Sequence, residues 1–272
     1  MAQITSTYKK EIRKAATAAN LPLEKLQGKN ILVTGATGLI GSCVVELLLN
    51  CDVPDCHVYA SGRNEDKANE LFKAYSNNRR LHFVQHDVTE ELKTDTIFHY
   101  IIHAASGANP VQYSTNPVGI MKANIWGTDN LLRYGLEHHM EKFVYVSSGD
   151  AYGECEHERI TEDCSGYVNP QVLRSCYPSS KRAAESLCTS YLHQYGLDIC
   201  VARPCHTFGP CFSESDSRAY AQFIRNIIAG EDIILKSKGE QYRSWCYVVD
   251  CASAILYIAL KGKSGEAYNI AD

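Results

Sequence analysis

With 272 residues, 45% hydrophobic and 21% charged, the chain can bury a full core and reads as one large α/β domain or one domain with a smaller lobe, not as a disordered segment. A formal charge of −4, with no Lys/Arg run interleaved with aromatics, argues against nucleic acid and anionic membrane as partners and for a small substrate. No run of about 18 apolar residues is present to span a membrane, and the 12 cysteines, scattered through helical and strand-like runs behind an N-terminus without a leader's apolar stretch, read as reduced cytosolic thiols.

The first 28 residues read as a polar amphipathic helix, Tyr8 to Ala19, and a linker ending at Gly28; ordinary packing or an added extension explains them. From Lys29 onward, apolar strand-like runs alternate with helical stretches. Ile31 to Val33 precedes a helix from Gly41 to Leu49, and Val58 to Ala60 precedes one from Asp66 to Tyr75. Leu81 to Val84 is strand-like; Ile101-Ile102 leads to a helix over Val118 to Leu136, and Phe143 to Val146 to one over Pro178 to Tyr195, before Ile199 to Ala202. Continuous apolar strands alternating with helices predict a doubly wound parallel sheet. After Pro204 the rhythm breaks into a loop, a helix from Tyr220 to Ala229, short strands, and a helix from Asp250 to Leu260. That predicts a smaller lobe over the carboxyl ends of the sheet, where ligands bind in such folds.

Three features carry chemistry. Gly35-Ala36-Thr37-Gly38-Leu39-Ile40-Gly41 lies between the first strand and the first helix of the sheet. Glycines there let the backbone turn sharply and approach a pyrophosphate, whose charge is met by free N–H groups at the positive helix end. At the end of the second strand, Ser61-Gly62-Arg63-Asn64 offers no acid for an adenosine ribose; Arg63 suits either a 2′-phosphate or solvent, which leaves NAD and NADP open. Asp87, before Val88, suits either the adenine amino group or a turn cap. Tyr177 and Lys181, four apart on one helix face, form an acid/base pair in which the ammonium is expected to lower the phenol's pKa. The spacing recurs at Tyr257 and Lys261, and 17 tyrosines supply about one such match by chance. Ser147-Ser148 at a strand end and the glycine turn favour the first copy; Tyr257, in an apolar helix, is expected in the core. Cys51 and Cys56 are too far apart for a C-x-x-C pair, and Cys205, Cys211, Cys246 and Cys251 lack matched ligand knuckles, so no metal site is expected.

The glycine spacing, Asp87, His103-Ala104-Ala105, Asn124, Ser148 and Tyr177-x-x-x-Lys181, in that order, resemble an extended short-chain dehydrogenase/reductase from Lys29 to the last residue. Ala105-Ser106-Gly107-Ala108-Asn109-Pro110 with Tyr113 and Asn116-Pro117, Arg174-Ser175-Cys176-Tyr177 with Lys181-Arg182-Ala183-Ala184-Glu185, Thr207 to Pro210, and Gln241-Tyr242-Arg243-Ser244 before Tyr247-Val248-Val249-Asp250 look most like nucleotide-sugar enzymes, especially UDP-glucuronate decarboxylases. The resemblance implies a Rossmann-type NAD(P) domain over 29–204 and a substrate lobe over 205–272, partly interleaved with it. It implies cofactor contacts from Gly35, Thr37, Gly38, Leu39, Ile40, Gly41, Arg63, Asp87, Val88, Ala104, Ala105, Tyr177 and Lys181, the lysine holding the nicotinamide ribose.

For catalysis it implies oxidation at C4 of the sugar, with Tyr177 as base, Ser148 bonding the same hydroxyl, and Asp150 where decarboxylases and dehydratases carry a Glu. Gly149 stands where dehydratases have a further Asp, which argues against 4,6-dehydration. Substrate contacts fall on Ser106, Asn124, Ser148, Arg243 and His206, which replaces the family's Asn in Arg203-Pro204-Cys205-His206 and suits either a ligand contact or a structural role. A nucleotide-diphosphate sugar as ligand, a homodimer through the helices around Asn124 and after Tyr177, and UDP-glucuronate decarboxylation follow as expectations. 4-Epimerisation, or 4,6-dehydration, is the alternative, and a non-catalytic dinucleotide sensor the alternative of another class. The chain stops at Asp272, where relatives continue with further helices, so it reads as a shortened chain or an incomplete lobe.

Overall fold

Strands β1 (Lys29–Thr34), β2 (Cys56–Gly62), β3 (Leu81–Gln85), β4 (Tyr100–His103), β5 (Lys142–Val146), β6 (Ile199–Pro204), β7 (His206–Phe208), β8 (Trp245–Tyr247) and β9 (Ala267–Ile270) alternate with helices in the computed structural model, which describes residues 6–156, 159–210, 212, 216–235, 238 and 243–271. The helices are α1 (Ser6–Ala16), α2 (Leu39–Asn50), α3 (Glu65–Leu71), α4 (Pro110–Thr115), α5 (Pro117–Glu137), α6 (Cys176–Tyr195), α7 (Ala219–Ala229) and α8 (Val248–Lys261). Seven strands form one parallel sheet in the order β3-β2-β1-β4-β5-β6-β9, and β7 and β8 pair separately. The chain winds outward from β1 in both directions, so a crevice opens where the carboxyl ends of β1 and β4 part, with Thr34 beside His103.

Alternation of side chains along each strand builds two cores. Ile31, Val33, Val58, Ile102, Val144 and Ala202 face one side, where α2 and α8 cover them. Leu32, Ile101, Phe143, Tyr145 and Ile199 face the other, against α5 and α6. Both faces are covered, which is why the strands are continuous apolar runs. Among the described residues no helix is long and apolar enough to cross a membrane.

Four features depart from the sequence reading. The N-terminal helix ends at Ala16 rather than Ala19, with the Thr17 hydroxyl donating to the Arg13 carbonyl, and it is a packed element: Tyr8, Ile12 and Ala16 are buried, and the Tyr8 hydroxyl donates to Glu46 Oε2 at 2.7 Å. The helix expected from Asp66 to Tyr75 is α3 followed by a short 3₁₀ turn, Lys73–Tyr75. Helix α4 was unforeseen, although Asn109 and Asn116 each cap a helix with Pro at its first position. Tyr257, expected in the core, is 47% exposed, because the buried stripe of α8 runs through Cys251, Ala252, Ile255, Leu256 and Ala259 and leaves Tyr257 outside it. The Gln241 and Tyr242 of the sequence motif, and Cys211, lie outside the described residues. Of the segment 205–272, α8 and β9 join the main sheet, while β7, β8 and α7 lie outside it.

Ile12 is 2% exposed in the layer formed with α2. Ile12→Ala is expected to cost about 2–4 kcal/mol in urea unfolding; a cost under about 0.5 kcal/mol, the range of surface substitutions, would make α1 an appendage.

Candidate active site

The glycine turn is built by close approach. Gly35 has φ +66°, and a Cβ there would lie 2.7 Å from the Ala104 and Ala105 backbone; a Cβ on Gly41 would lie 2.3 Å from the Gly35 carbonyl oxygen. The turn therefore needs glycine at both places to pin β1 against β4 and seat α2 on the turn. Gly38 caps α2 without a side chain, leaving N–H groups at the helix start to meet an anion. Nearby, Ser61 Oγ and Ser106 Oγ are buried without partners among the described residues. Thr37, Leu39, Ile40, Ala104 and Ala105 are half-buried around this cradle, which fits a dinucleotide's pyrophosphate.

At the ends of β2 and β3, Asp87 Oδ1 accepts from the N–H and hydroxyl of Thr89 at 3.0 and 2.8 Å, and Arg63 lies 3.9 Å from Oδ2. Partial burial raises the Asp87 pKa, but these donors and the Arg63 charge hold it below the usual range. Asp87 is thus a turn cap whose second oxygen faces Arg63. Val88 points into the core against Gly127 of α5 and gives its carbonyl to Asn130. His103 hydrogen-bonds Thr34 Oγ1 at 2.7 Å, and burial with the Lys181 and His86 charges pushes its pKa down to about 3, so it is neutral.

Beyond β5 the chain makes a 3₁₀ turn, Gly149–Tyr152, capped by Ser148, whose Oγ accepts from the Asp150 N–H at 3.1 Å. The Ser148 hydroxyl also favours the charged form of the Tyr177 phenol, in the first turn of α6. One turn on, Lys181 is 2% exposed and donates to the Val146 carbonyl at 2.8 Å, with Nζ 4.7 Å from the Tyr145 ring centre and 5.8 Å from that of Tyr177. The predicted lowering of the phenol is reversed: burial pushes Tyr177 up to about 12, against the Ser148 hydrogen bond and the Arg218 and Arg174 charges. Burial also pulls Lys181 down to about 7, so its ammonium is weakened, and it is aimed at Val146.

Asn124 was expected at the substrate, yet it is fully buried between α5 and α6 and donates to Ser180 Oγ at 2.9 Å, which in turn donates to the Tyr177 carbonyl at 3.0 Å. Its place is under the Tyr177 turn. Asp150 accepts from Arg174 at 3.0 Å. Arg243 donates to His206 Nε2 at 2.6 Å, and burial and the arginine charge lower the His206 pKa, so these two form one polar pair beside β7 and β8.

Several residues that the sequence named only inside motif stretches prove to be neighbours of the site. The Tyr113 ring stacks on Tyr177 with centroids 5.0 Å apart, and the Arg174 guanidinium lies 5.6 Å from the centre of Tyr113. Arg182 donates to the carbonyls of Ala151, Tyr152 and Gly166, fixing the turn that carries Ser148. Arg203, read only as part of a motif, binds Glu185 through Nε at 3.2 Å and NH2 at 2.7 Å and reaches the Tyr152 hydroxyl at 2.9 Å. Glu185 also accepts from Ser147. The signal was present in charged residues flanking Tyr177 and Lys181 on α6.

Residues 31–271 match the model of the NAD dependent epimerase/dehydratase family. The chain belongs to that family. A UDP-glucuronic acid decarboxylase of Arabidopsis thaliana is 34% identical over 236 residues, 86% of this chain and 67% of that protein. A dTDP-glucose 4,6-dehydratase from Streptomyces venezuelae, solved with NAD bound, superposes with a TM-score of 0.76 at 26% identity, covering 88% of this chain and 74% of the other. A UDP-glucuronic acid 4-epimerase from Bacillus cereus, solved with UDP-glucuronic acid and NAD, gives 0.75 at 25% identity, covering 89% and 77%.

The Lys181 shift has a sign that can be tested. Its folded value, about 7, lies below the ordinary 10.5, so the unfolded chain binds more protons between those values and stability rises with pH across that window. Lys181→Met removes a buried charge that costs most below pH 7. The variant is expected to gain stability relative to the parent as pH falls from about 10 to about 6; a difference between the two melting curves that does not change over that range would contradict it.

Proposed function

We propose that this chain oxidises C4 of a nucleotide-diphosphate sugar, and that it acts as a UDP-glucuronate decarboxylase. The observation that carries the reading is Tyr177, with Ser148 favouring its charged form and Lys181 one helical turn on, at the strand ends that also hold the glycine cradle. Tyr177 takes the C4 hydroxyl proton while Ser148 holds that oxygen in line. The Gly35–Gly41 turn would hold a nicotinamide dinucleotide, which would supply the hydride acceptor. Because the protein alone leaves Tyr177 near 12, turnover is expected to climb with pH on the acid side of the phenol's working value. The Asp87 carboxylate faces Arg63 at 3.9 Å and meets the guanidinium that a 2′-phosphate would need, which favours NAD over NADP.

The segment 205–272 supplies the substrate lobe through β7, β8 and α7, with Arg243 and His206 toward the diphosphate. Exposed Met121 and Trp126 on α5 support a homodimer through α5 and α6, and the free cysteines suit a reducing cytoplasm. The Arg174 contact on Asp150 favours a second reading, 4-epimerisation, which needs no acid after oxidation.

Purified protein given UDP-glucuronate and NAD is expected to release a product lighter by CO2. An unchanged mass with altered stereochemistry would establish the epimerase. Tyr177→Phe is expected to lower turnover about 100- to 10,000-fold; unchanged turnover would remove Tyr177 from the chemistry.

A further inference from the structure

The charged groups that act most strongly on the Tyr177 phenol are Asp150, Arg218 and Arg174. The two arginines are held very differently. Arg218 is gripped by Asp216, with Nε 3.0 and 3.1 Å from its two oxygens and NH2 2.6 Å from Oδ2, and it also donates to the Tyr220 hydroxyl at 2.7 Å. Arg174 makes one hydrogen bond, NH2 to Asp150 Oδ2 at 3.0 Å, and its side chain is 60% exposed. Such a one-armed, solvent-exposed pair contributes little and exchanges readily. The other donors of its planar fork have no partner among the described residues, and that fork matches a carboxylate's two oxygens.

Its placement adds to this. Tyr113 stacks on Tyr177 and carries the Arg174 guanidinium above its own ring, so the cation sits one aromatic ring away from the phenol that handles the reacting hydroxyl. In the proposed reaction the sugar carboxylate is borne by the carbon next to the one that is oxidised, so it is held close to the hydroxyl that Tyr177 serves. Left alone, Asp150 would repel it.

We propose that Arg174 is the specificity residue for a uronate: it leaves Asp150 and takes the sugar carboxylate in a two-oxygen grip, while neutralising the repulsion from Asp150. This rests on the nucleotide-sugar reading above. A substrate with a hydroxymethyl group in that position gains nothing from the exchange.

The test is calorimetric titration of the NAD-loaded protein and its Arg174→Gln and Arg174→Lys variants with UDP-glucuronate, UDP-glucose and UDP. The parent is expected to prefer UDP-glucuronate over UDP-glucose. Arg174→Gln is expected to weaken UDP-glucuronate about tenfold or more and to leave UDP-glucose and UDP within about twofold, with Arg174→Lys between, since it keeps the charge and loses the fork. A parent that prefers the glucuronate and a glutamine variant that still does so, or that weakens all three ligands alike, would overturn the role of Arg174. A parent that binds neither sugar, or both equally, would overturn the uronate reading itself and this role with it.

Discussion

The site depends on the burial of one ammonium group. Lys181 is sealed beneath the end of β5, donating to the Val146 carbonyl and lying against the Tyr145 ring. A charge that deep is unfavourable, and its pKa falls to about 7 as a result. Its backbone lies in the same helix as Tyr177, so anchoring Lys181 to β5 also fixes where the phenol meets Ser148. Natural sequences place such unfavourable groups where function requires them.

The surroundings of Lys181 distribute the load. Glu185, one turn further along α6, is tied to Arg203 of β6 in a mostly buried, two-pronged ion pair and accepts from Ser147. Its negative charge partly offsets the cost of Lys181. Arg182, on the adjoining face, gathers three carbonyls of the chain after Ser148. From below, Asn124 on α5 supports the Tyr177 turn through Ser180. Helix α6 is therefore the platform on which strand ends, turn and phenol are aligned, with Tyr113 and Arg174 meeting it at its first turn.

The sheet was legible because a parallel sheet covered on both faces must be written as continuous apolar runs, as in Ile31-Leu32-Val33 and Phe143 to Val146. The glycine turn was legible because Gly35 and Gly41 answer to close backbone contacts that no other residue tolerates. Helix α4 was missed although Asn109-Pro110 is a start signal, because the stretch after it is too short to show a period. The Tyr257 error came from reading an apolar helix as buried all round, when its Tyr257 side is turned away from the sheet and from α2. The sign of the Tyr177 shift was not legible at all: four-residue spacing tells that two side chains share a helix face, but not that burial outweighs their attraction. The partner of Asp150 comes from 24 residues away and is set by tertiary structure alone.

On the proposed reading, Tyr177 removes a proton from a sugar hydroxyl while the carbon beneath it is oxidised. Rapid mixing of the NAD-loaded protein with UDP-glucuronate, followed at the absorbance of the reduced nicotinamide, tests it most directly. A substrate-dependent rise is expected in the parent and none in Tyr177→Phe. No rise with the parent protein, or an equal rise with the phenylalanine variant, would contradict it.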